Sequence, residues 1–383
     1  VAIEKAKELG YYTILCDFLT DNPGQYVADK FYLESTTDKE KMLEIAKKEN
    51  IDGVLAYASD PAAPTAAYIA EKMKLAGSPY ESVEILCNKD KFKEFLKESG
   101  FNVPNSMGFS NRKEALKKAI EYEFPIIIKP VDSSGSKGVT VLNDANDIEK
   151  AIDFAFEYSR SHRIIIENFI EKKHKYLIGG DIFVIDGKIK LWGLMNCHRD
   201  NSVNSLVPVG KSYPLDLEKN DIDNVKQVLQ DIVTKLKIQN CPMNVELIID
   251  KSDRVWPIDI EPRSGGNMIP DLLNMIFNED IVKMCIQSAM GDKNDFFGNE
   301  PQEFYATHNL HSNKNGIFKE IQFSKEIEKC IVKKCIYKKE GDKIEYFDNA
   351  AKALGIVFFK FNSQEEMRSY LENINQYINI VVR

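Results

Sequence analysis

The sequence predicts an α/β protein that passes into α+β architecture: an open parallel sheet first, then antiparallel strands and hairpins among helices. Three observations carry this. Helical and strand patterns alternate over residues 1–86, which implies a parallel sheet. After Asn88, apolar runs are joined by tight turns such as Asp186-Gly187 and Lys251-Ser252-Asp253-Arg254, the mark of hairpins. At 383 residues, a soft prior of roughly 150 residues per domain gives two or three domains.

Residues 2–9 form an amphipathic helix fragment stopped by Gly10, and 12–16 a short strand ending at Asp17. Helices over 39–49 and 62–73 flank a strand at 53–57. Such a sheet normally opens with a strand and a Gly-rich turn, and the expectation is that this piece lies before residue 1. A helix over 90–98, stopped at Gly100, leads through Val103-Pro104 to strands at 125–130 and 139–142 around the loop 131–138. Then come a helix at 145–158, a strand at 163–167 and a hairpin of 181–185 with 188–192. A helix over 221–236 precedes a second hairpin, 244–250 with 255–261. The expected divisions are 1–86, 87–300 with a mobile lid at about 110–171, and a small α+β domain over 301–383.

Composition narrows the function. Hydrophobic residues are 43% and charged residues 29%, an ordinary globular profile. No apolar run approaches the ~18 residues that span a bilayer, so no membrane role is expected. The formal charge of -8, from 51 basic and 59 acidic side chains, argues against nucleic acid as main partner. Seven cysteines form no Cys-x-x-Cys pair, and the opening Val1-Ala2-Ile3-Glu4-Lys5 lacks the pattern of a signal peptide. The expectation is a cytoplasmic protein with reduced thiols and no zinc site.

Lys129 ends a strand and is followed by Asp132-Ser133-Ser134-Gly135-Ser136-Lys137-Gly138. Small residues let successive N–H groups cradle an anion, and the lysine adds a point charge. Alone, this reads equally well as a flexible hairpin loop, and it lacks the spacing of a Walker loop. A sharper signal comes from Val255-Trp256-Pro257-Ile258-Asp259-Ile260-Glu261-Pro262-Arg263. On a strand, Asp259 and Glu261 share one face, and the hairpin register puts Glu246 opposite Asp259. Three crowded carboxylates must protonate or hold a cation. Mg²⁺ with nucleotide phosphates suits such oxygens, whereas a solvent-exposed face is the bland alternative. Arg263-Ser264-Gly265-Gly266-Asn267 follows at once, a second small-residue loop with a guanidinium for an oxyanion.

The ordered set of Lys89, Lys129 with its loop, Ile165-Ile166-Glu167-Asn168-Phe169-Ile170, Glu246 and Asp259-Ile260-Glu261-Pro262-Arg263 resembles the ATP-grasp superfamily over roughly residues 1–300. Within it, the chain most resembles carboxylate–amine ligases of the L-amino-acid ligase and carbamoyl-phosphate-synthase large-subunit kind. The resemblance implies an ATP-grasp fold and ATP with Mg²⁺ (Mn²⁺ as an alternative) as cofactors. It also implies an acyl phosphate made from a small-molecule carboxylate and displaced by an amine.

By the same resemblance, Lys89, eleven residues before Gly100, touches ATP phosphates, with Lys91 as its rival. Lys129 is the second phosphate lysine, and Ser133, Gly135, Ser136 and Gly138 belong to the loop closing over the phosphates. Glu167 lies near the adenine amino group, the backbone at Phe169 and Ile170 forms the adenine hinge, and Asp181 lies near the ribose. Glu246, Asp259 and Glu261 fall on the Mg²⁺ positions, the family often having Asn at the last. Arg263 steadies the transferring phosphoryl group. A homodimer is implied by analogy only.

His198 and Arg199 are candidates for meeting a substrate, as are Gly266 and Asn267; for the first pair an exposed strand end is the competing reading. His308 and His311 read as structural, and Asp17, Trp192 and Trp256 as scaffolding. Two other functions stay open: a carbamoyl-phosphate-type or carboxylating enzyme using bicarbonate, and a nucleotide-binding protein that has lost catalysis.

Overall fold

The computed structural model describes every residue except 134, 295, 297 and 299. Chain order begins with α1 (Ala2–Glu8), β1 (Ile14–Asp17), β2 (Lys30–Leu33), α2 (Lys39–Glu49), α3 (Ala63–Met73) and α4 (Tyr80–Leu86). β1 and β2 pair in parallel, from Ile14 against Lys30 to Asp17 against Leu33. The Asp38 carboxylate caps α2 by accepting from the Lys41 N–H at 3.0 Å, and α2 buries Met42, Leu43, Ile45 and Ala46. The expected strand at 53–57 is a correction. It joins no ladder among the described residues; instead a Cβ on Gly53 would lie 2.7 Å from the Ala289 carbonyl oxygen, and the Tyr57 carbonyl accepts from Ser264 N–H at 3.1 Å.

α5 (Lys89–Glu98) leads to the lid strands β3 (Ser106–Phe109), β4 (Ile126–Pro130), β5 (Thr140–Leu142) and β6 (Ile164–Asn168), with α6 (Arg112–Ala119) and α7 (Ile148–Tyr158) between them. The sheet order is β3-β6-β4-β5, with every pair antiparallel. α7 buries Ile148, Ala151, Ile152 and Ala155, the spacing of one helix face. It starts later than the sequence predicts because the Asp144 carboxylate accepts from Asn146 N–H at 2.9 Å, a side-chain turn competing with helix.

The large sheet is built from β7 (Leu177–Ile185), β8 (Lys188–Arg199), β9 (Pro208–Tyr213), β10 (Cys241–Ile249), β11 (Val255–Glu261) and β12 (Phe304–Leu310), with α8 (Lys219–Lys235), α9 (Ile269–Phe277) and α10 (Ile281–Met290). After β12 come β13 (Gly316–Phe323), α11 (Lys325–Glu328), β14 (Ile331–Ile336), β15 (Lys343–Ile344), β16 (Gly355–Phe361), α12 (Gln364–Glu372), α13 (Ile374–Tyr377) and β17 (Ile378–Val382). The eight-stranded order is β11-β10-β7-β8-β9-β12-β16-β14, so strands after residue 301 extend the central sheet. β15-β13-β17 form a separate small sheet.

One face of the large sheet packs on α8 and α5 through Ile178, Ile182, Val245, Leu247, Leu229, Ile232, Phe92 and Leu96. The other packs on α9 through Phe183, Leu191, Met195, Leu272 and Leu273. Among the described residues, no helix is long and apolar enough to cross a membrane. The seven cysteines are all unpaired.

Candidate active site

The β10–β11 hairpin sets the first part of the site. At the turn Ile249 faces Val255, but a bulge at Ile258 shifts the register, and Glu246 then stands opposite Asp259. That pairing is the one the sequence predicts, reached through a bulge the sequence did not show. Bulges re-aim side chains near functional sites, and here Lys93 of α5 donates to the carbonyls of Pro257 at 3.2 Å and Ile258 at 3.1 Å.

The three carboxylates do not converge. Asp259 accepts from Lys89 Nζ at 2.7 Å, Glu246 Oε1 lies 3.5 Å from Arg199 Nη2, and Glu261 pairs with Arg263. Arg263 also bridges to Asp60, in the turn before α3. Among the described residues, no three His, Cys, Asp or Glu side chains gather as a ready metal cage. Each of the three acids instead takes a protein cation as its counter-charge. Burial and the charge of Asp259 push the Glu261 carboxyl up. Burial would raise Asp60 too, but its hydrogen bond with Glu261 and the Arg263 charge hold it at about 2. Burial works against the Lys89 ammonium, yet Asp259 and Glu261 outweigh it and raise its pKa. Lys91, the rival, pairs with Glu84 at 2.7 Å on the surface.

A second cluster lies at the base of the lid. Lys129 (5% exposed) pairs with Glu167 (3% exposed), and Lys93 Nζ lies 4.0 Å from Glu167 Oε2. Burial lowers Lys93 to about 8, against the pull of Glu167. Burial would raise Glu167, but the Lys129 and Lys93 charges lower it overall. Glu167 Oε2 is buried without a hydrogen-bond partner, an acceptor in want of a donor. Sequence reading missed Lys93 and Asp60. Lys93 had a signal, since Lys89 and Lys93 are four apart on one face of α5. Asp60 had none, being distant in sequence.

The lid loop joins β4 to β5. Ser133 Oγ donates to the Lys137 carbonyl at 3.1 Å, and Ser136 Oγ reaches across to the Leu206 carbonyl at 2.9 Å. Ser134 lies outside the described residues. Gly138 has φ +73°, and a Cβ there would lie 2.8 Å from Pro130 Cγ and 2.9 Å from Tyr158 Cβ. Gly135 also has positive φ. Beyond β6, Phe169 is 39% exposed, and its N–H donates to the Pro125 carbonyl at 2.9 Å.

By resemblance Asp181 is expected near the ribose. It is buried in β7, accepting from Gly265 N–H at 2.7 Å and Asn244 Nδ2 at 2.8 Å, and burial raises its pKa. It braces the loop that carries Gly265. A Cβ on Gly265 would lie 2.6 Å from Asp181 Oδ1, so that brace requires glycine. Gly266 is exposed, and Asn267 and Met268 both have positive φ before α9. His198 accepts from or donates to Ser212 Oγ at 2.9 Å, and burial holds its imidazole neutral, at about 3. His198 and Arg199 also line a cleft of about 260 Å³ with Thr307, His308 and residues 371–376.

Residues 122–271 match the family described as the ATP-grasp domain. The chain carries an ATP-grasp domain. That segment holds Lys129, Glu167, Asp181, Glu246, Asp259, Glu261 and Arg263, while Lys89 and Lys93 precede it. The carbamoyl phosphate synthase large chain of Pseudothermotoga lettingae is 28% identical over 301 residues, covering 76% of this chain and 26% of that protein. The chain thus spans about a quarter of that relative's length. L-amino acid ligase from Bacillus licheniformis aligns over 100% of this chain and 95% of that one, at TM-score 0.83 and 19% identity. Phosphoribosylglycinamide synthetase from Anaerococcus prevotii aligns over 100% and 96%, at TM-score 0.75 and 24% identity. These likenesses show that the whole chain shares the fold of those two proteins.

Proposed function

We propose that the chain is an ATP- and Mg²⁺-dependent ligase joining a carboxylate to an amine through an acyl phosphate, with release of ADP and phosphate. The observation that carries the reading is the Glu246–Asp259 cross-strand pair, held between Arg199 and Lys89. Like charges placed directly opposite destabilise a sheet, so the pair calls for a role beyond folding.

The residues suit the groups they would hold. Glu246 and Asp259 stay 28% and 26% exposed, so their oxygens are open to a hard cation. The unpartnered Glu167 Oε2 suits an amino donor such as that of adenine. When bound, Mg²⁺ would neutralise phosphate oxygens between Glu246 and Asp259. Lys129 and the backbone at Ser133 and 135–138 would hold the phosphates from the lid side, Lys89 from the start of α5 and Arg263 from just beyond β11. Arg263 is fixed by Asp60 and Glu261, which pre-orients its guanidinium. A carboxylate oxygen attacks the γ-phosphorus and ADP leaves; an amine nitrogen then attacks the acyl carbon and phosphate leaves. Positioning and charge neutralisation supply most of what such phosphoryl transfer requires. With its cysteines unpaired, the protein suits a reducing, cytoplasmic setting.

The test is ADP release with Mg·ATP across a matrix of carboxylates and amines. ADP that appears only with a carboxylate–amine pair supports the ligase. A second reading rests on the relatives named carbamoyl phosphate synthase, and turnover driven by bicarbonate alone would favour it.

A further inference from the structure

The pairing of β8 with β9 puts Cys197 directly opposite Lys211, so the two side chains leave the same sheet face at close range. Lys211 Nζ donates to Cys197 Sγ at 2.9 Å. Both residues are buried, Cys197 at 1% and Lys211 at 8% exposure. A thiol is a weak acceptor, and among the described residues no carboxylate pairs with Lys211, whereas Lys89, Arg199 and Arg263 each have one. A buried ammonium without a counter-charge is unfavourable, so packing alone gives no reason for a lysine to end on this sulfur. The neighbouring strand makes room for the contact. A Cβ on Gly179 of β7 would lie 2.5 Å from Cys197 Sγ and 3.2 Å from Lys211 Nζ.

The other cysteines sit differently. Burial pushes the thiols of Cys16, Cys87, Cys241, Cys285 and Cys330 up, which suppresses the thiolate that reacts with oxidants. Cys241 Sγ meets the Pro242 carbonyl and Cys285 Sγ the Ser264 hydroxyl; among the described residues only Cys197 has its sulfur on a lysine. A cation beside sulfur is the setting of oxidisable cysteines, and a nitrogen already in contact is placed to intercept the first oxidation product. Arg199, two residues along β8, keeps 20% of its side chain exposed, so the pair lies near the surface of the site, within reach of a molecule little larger than water.

We propose that Cys197 and Lys211 are an oxidant-sensitive pair that closes into a covalent sulfur–nitrogen bond, a sulfenamide. The oxidant is a peroxide. Cys197 sulfur attacks one peroxide oxygen, the S–O bond forms as the O–O bond breaks, and water leaves; sulfur is oxidised to the sulfenic acid and the peroxide is reduced. Lys211 Nζ, having released its ammonium proton to solvent, then attacks sulfur with its lone pair. The S–N bond forms, the S–O bond breaks, the hydroxyl leaves as a second water with the other proton lost from nitrogen, and no further electrons move. A dithiol reverses the closure, its two sulfurs joining as a disulfide while thiol and amine are regenerated. Closure turns an ammonium into a neutral linkage on the sheet face that carries Glu246. The proposal does not depend on the ligase reading.

The experiment is tryptic peptide mapping by mass spectrometry of the whole folded protein, before and after hydrogen peroxide, with iodoacetamide added on denaturation to mark surviving thiols. After peroxide, peptide 191–199 should be found joined to peptide 200–219, lighter than the separate pair by two hydrogen atoms, with cleavage after Lys211 lost. Dithiothreitol should restore both the Cys197 thiol and that cleavage. In Cys197→Ser, cleavage after Lys211 should survive peroxide. In Lys211→Met, Cys197 should stop at the sulfenic acid, which dimedone traps. Recovery of Cys197 as the alkylated thiol, its passage to sulfinic or sulfonic acid with Lys211 still cleaved, or its capture by another cysteine each overturns the pair. Should either variant fail to fold, the wild-type map with its dithiothreitol reversal still decides.

Discussion

The buried pair at the base of the lid can be perturbed with a definite outcome. Glu167 is shared by Lys129, in direct contact, and Lys93, at 4.0 Å. Removing one partner of a buried ion pair costs about 3–5 kcal/mol. Lys129→Met leaves Glu167 with Lys93 nearby, so its cost belongs near the lower end, about 3 kcal/mol. Glu167→Gln leaves Lys129 buried without its counter-charge and removes the pull that favours the Lys93 ammonium, so its cost belongs near about 5 kcal/mol. Adding Lys129→Met to Glu167→Gln then removes the uncompensated buried charge, and the double variant is more stable than Glu167→Gln alone. Urea unfolding, followed by the fluorescence of Trp192 and Trp256 and by circular dichroism, measures all four proteins. Contacting residues commonly couple by about 0.5–3 kcal/mol. Costs that simply add, with the double variant worst, would refute the shared-carboxylate account.

Other outcomes follow from the same geometry. Asp259→Ala should abolish ADP release while leaving the circular dichroism spectrum essentially that of wild type; surviving turnover would show that Asp259 is no metal ligand. Arg263→Lys cannot span Asp60 and Glu261 as a guanidinium fork does, and turnover should fall by about 10²-fold, as for loss of one oxyanion donor. Gly138→Ala puts a methyl into Pro130 and Tyr158 at positive φ and should destabilise the lid by about 1–3 kcal/mol, read by hydrogen exchange in β4 and β5. His308 is 6% exposed, and burial lowers it to about 3. Below its unfolded pKa near 6.5 the unfolded chain binds the extra proton, so stability falls as pH falls. The loss is about 1.4 kcal/mol per pH unit between pH 6 and 4, and His308→Gln should flatten the slope by that amount; equal slopes would mean the imidazole is solvated.

Much of the site was legible because strand chemistry is local. Hairpin arithmetic placed Glu246 opposite Asp259, and the small-residue loops after Lys129 and Arg263 are visible as composition. What the chain could not disclose is tertiary. Asp60 meets Arg263 from 203 residues away. Lys211 lies on a strand, Pro208–Tyr213, whose proline and glycine conceal its period. Counter-ions were also unreadable: the sequence shows three acids crowding, whereas the fold brings Lys89, Arg199 and Arg263 to them. At 53–57 the run Gly-Val-Leu-Ala-Tyr has strand character, but a strand needs a neighbour to ladder with, and propensity alone does not supply one.

The central claim, that the carboxylate is activated by phosphorylation, is tested most directly by isotope transfer. With an ¹⁸O-labelled carboxylate, amine and Mg·ATP, the account predicts one ¹⁸O in the released phosphate for each amide formed, read by ³¹P NMR. Amide formation with unlabelled phosphate would contradict it.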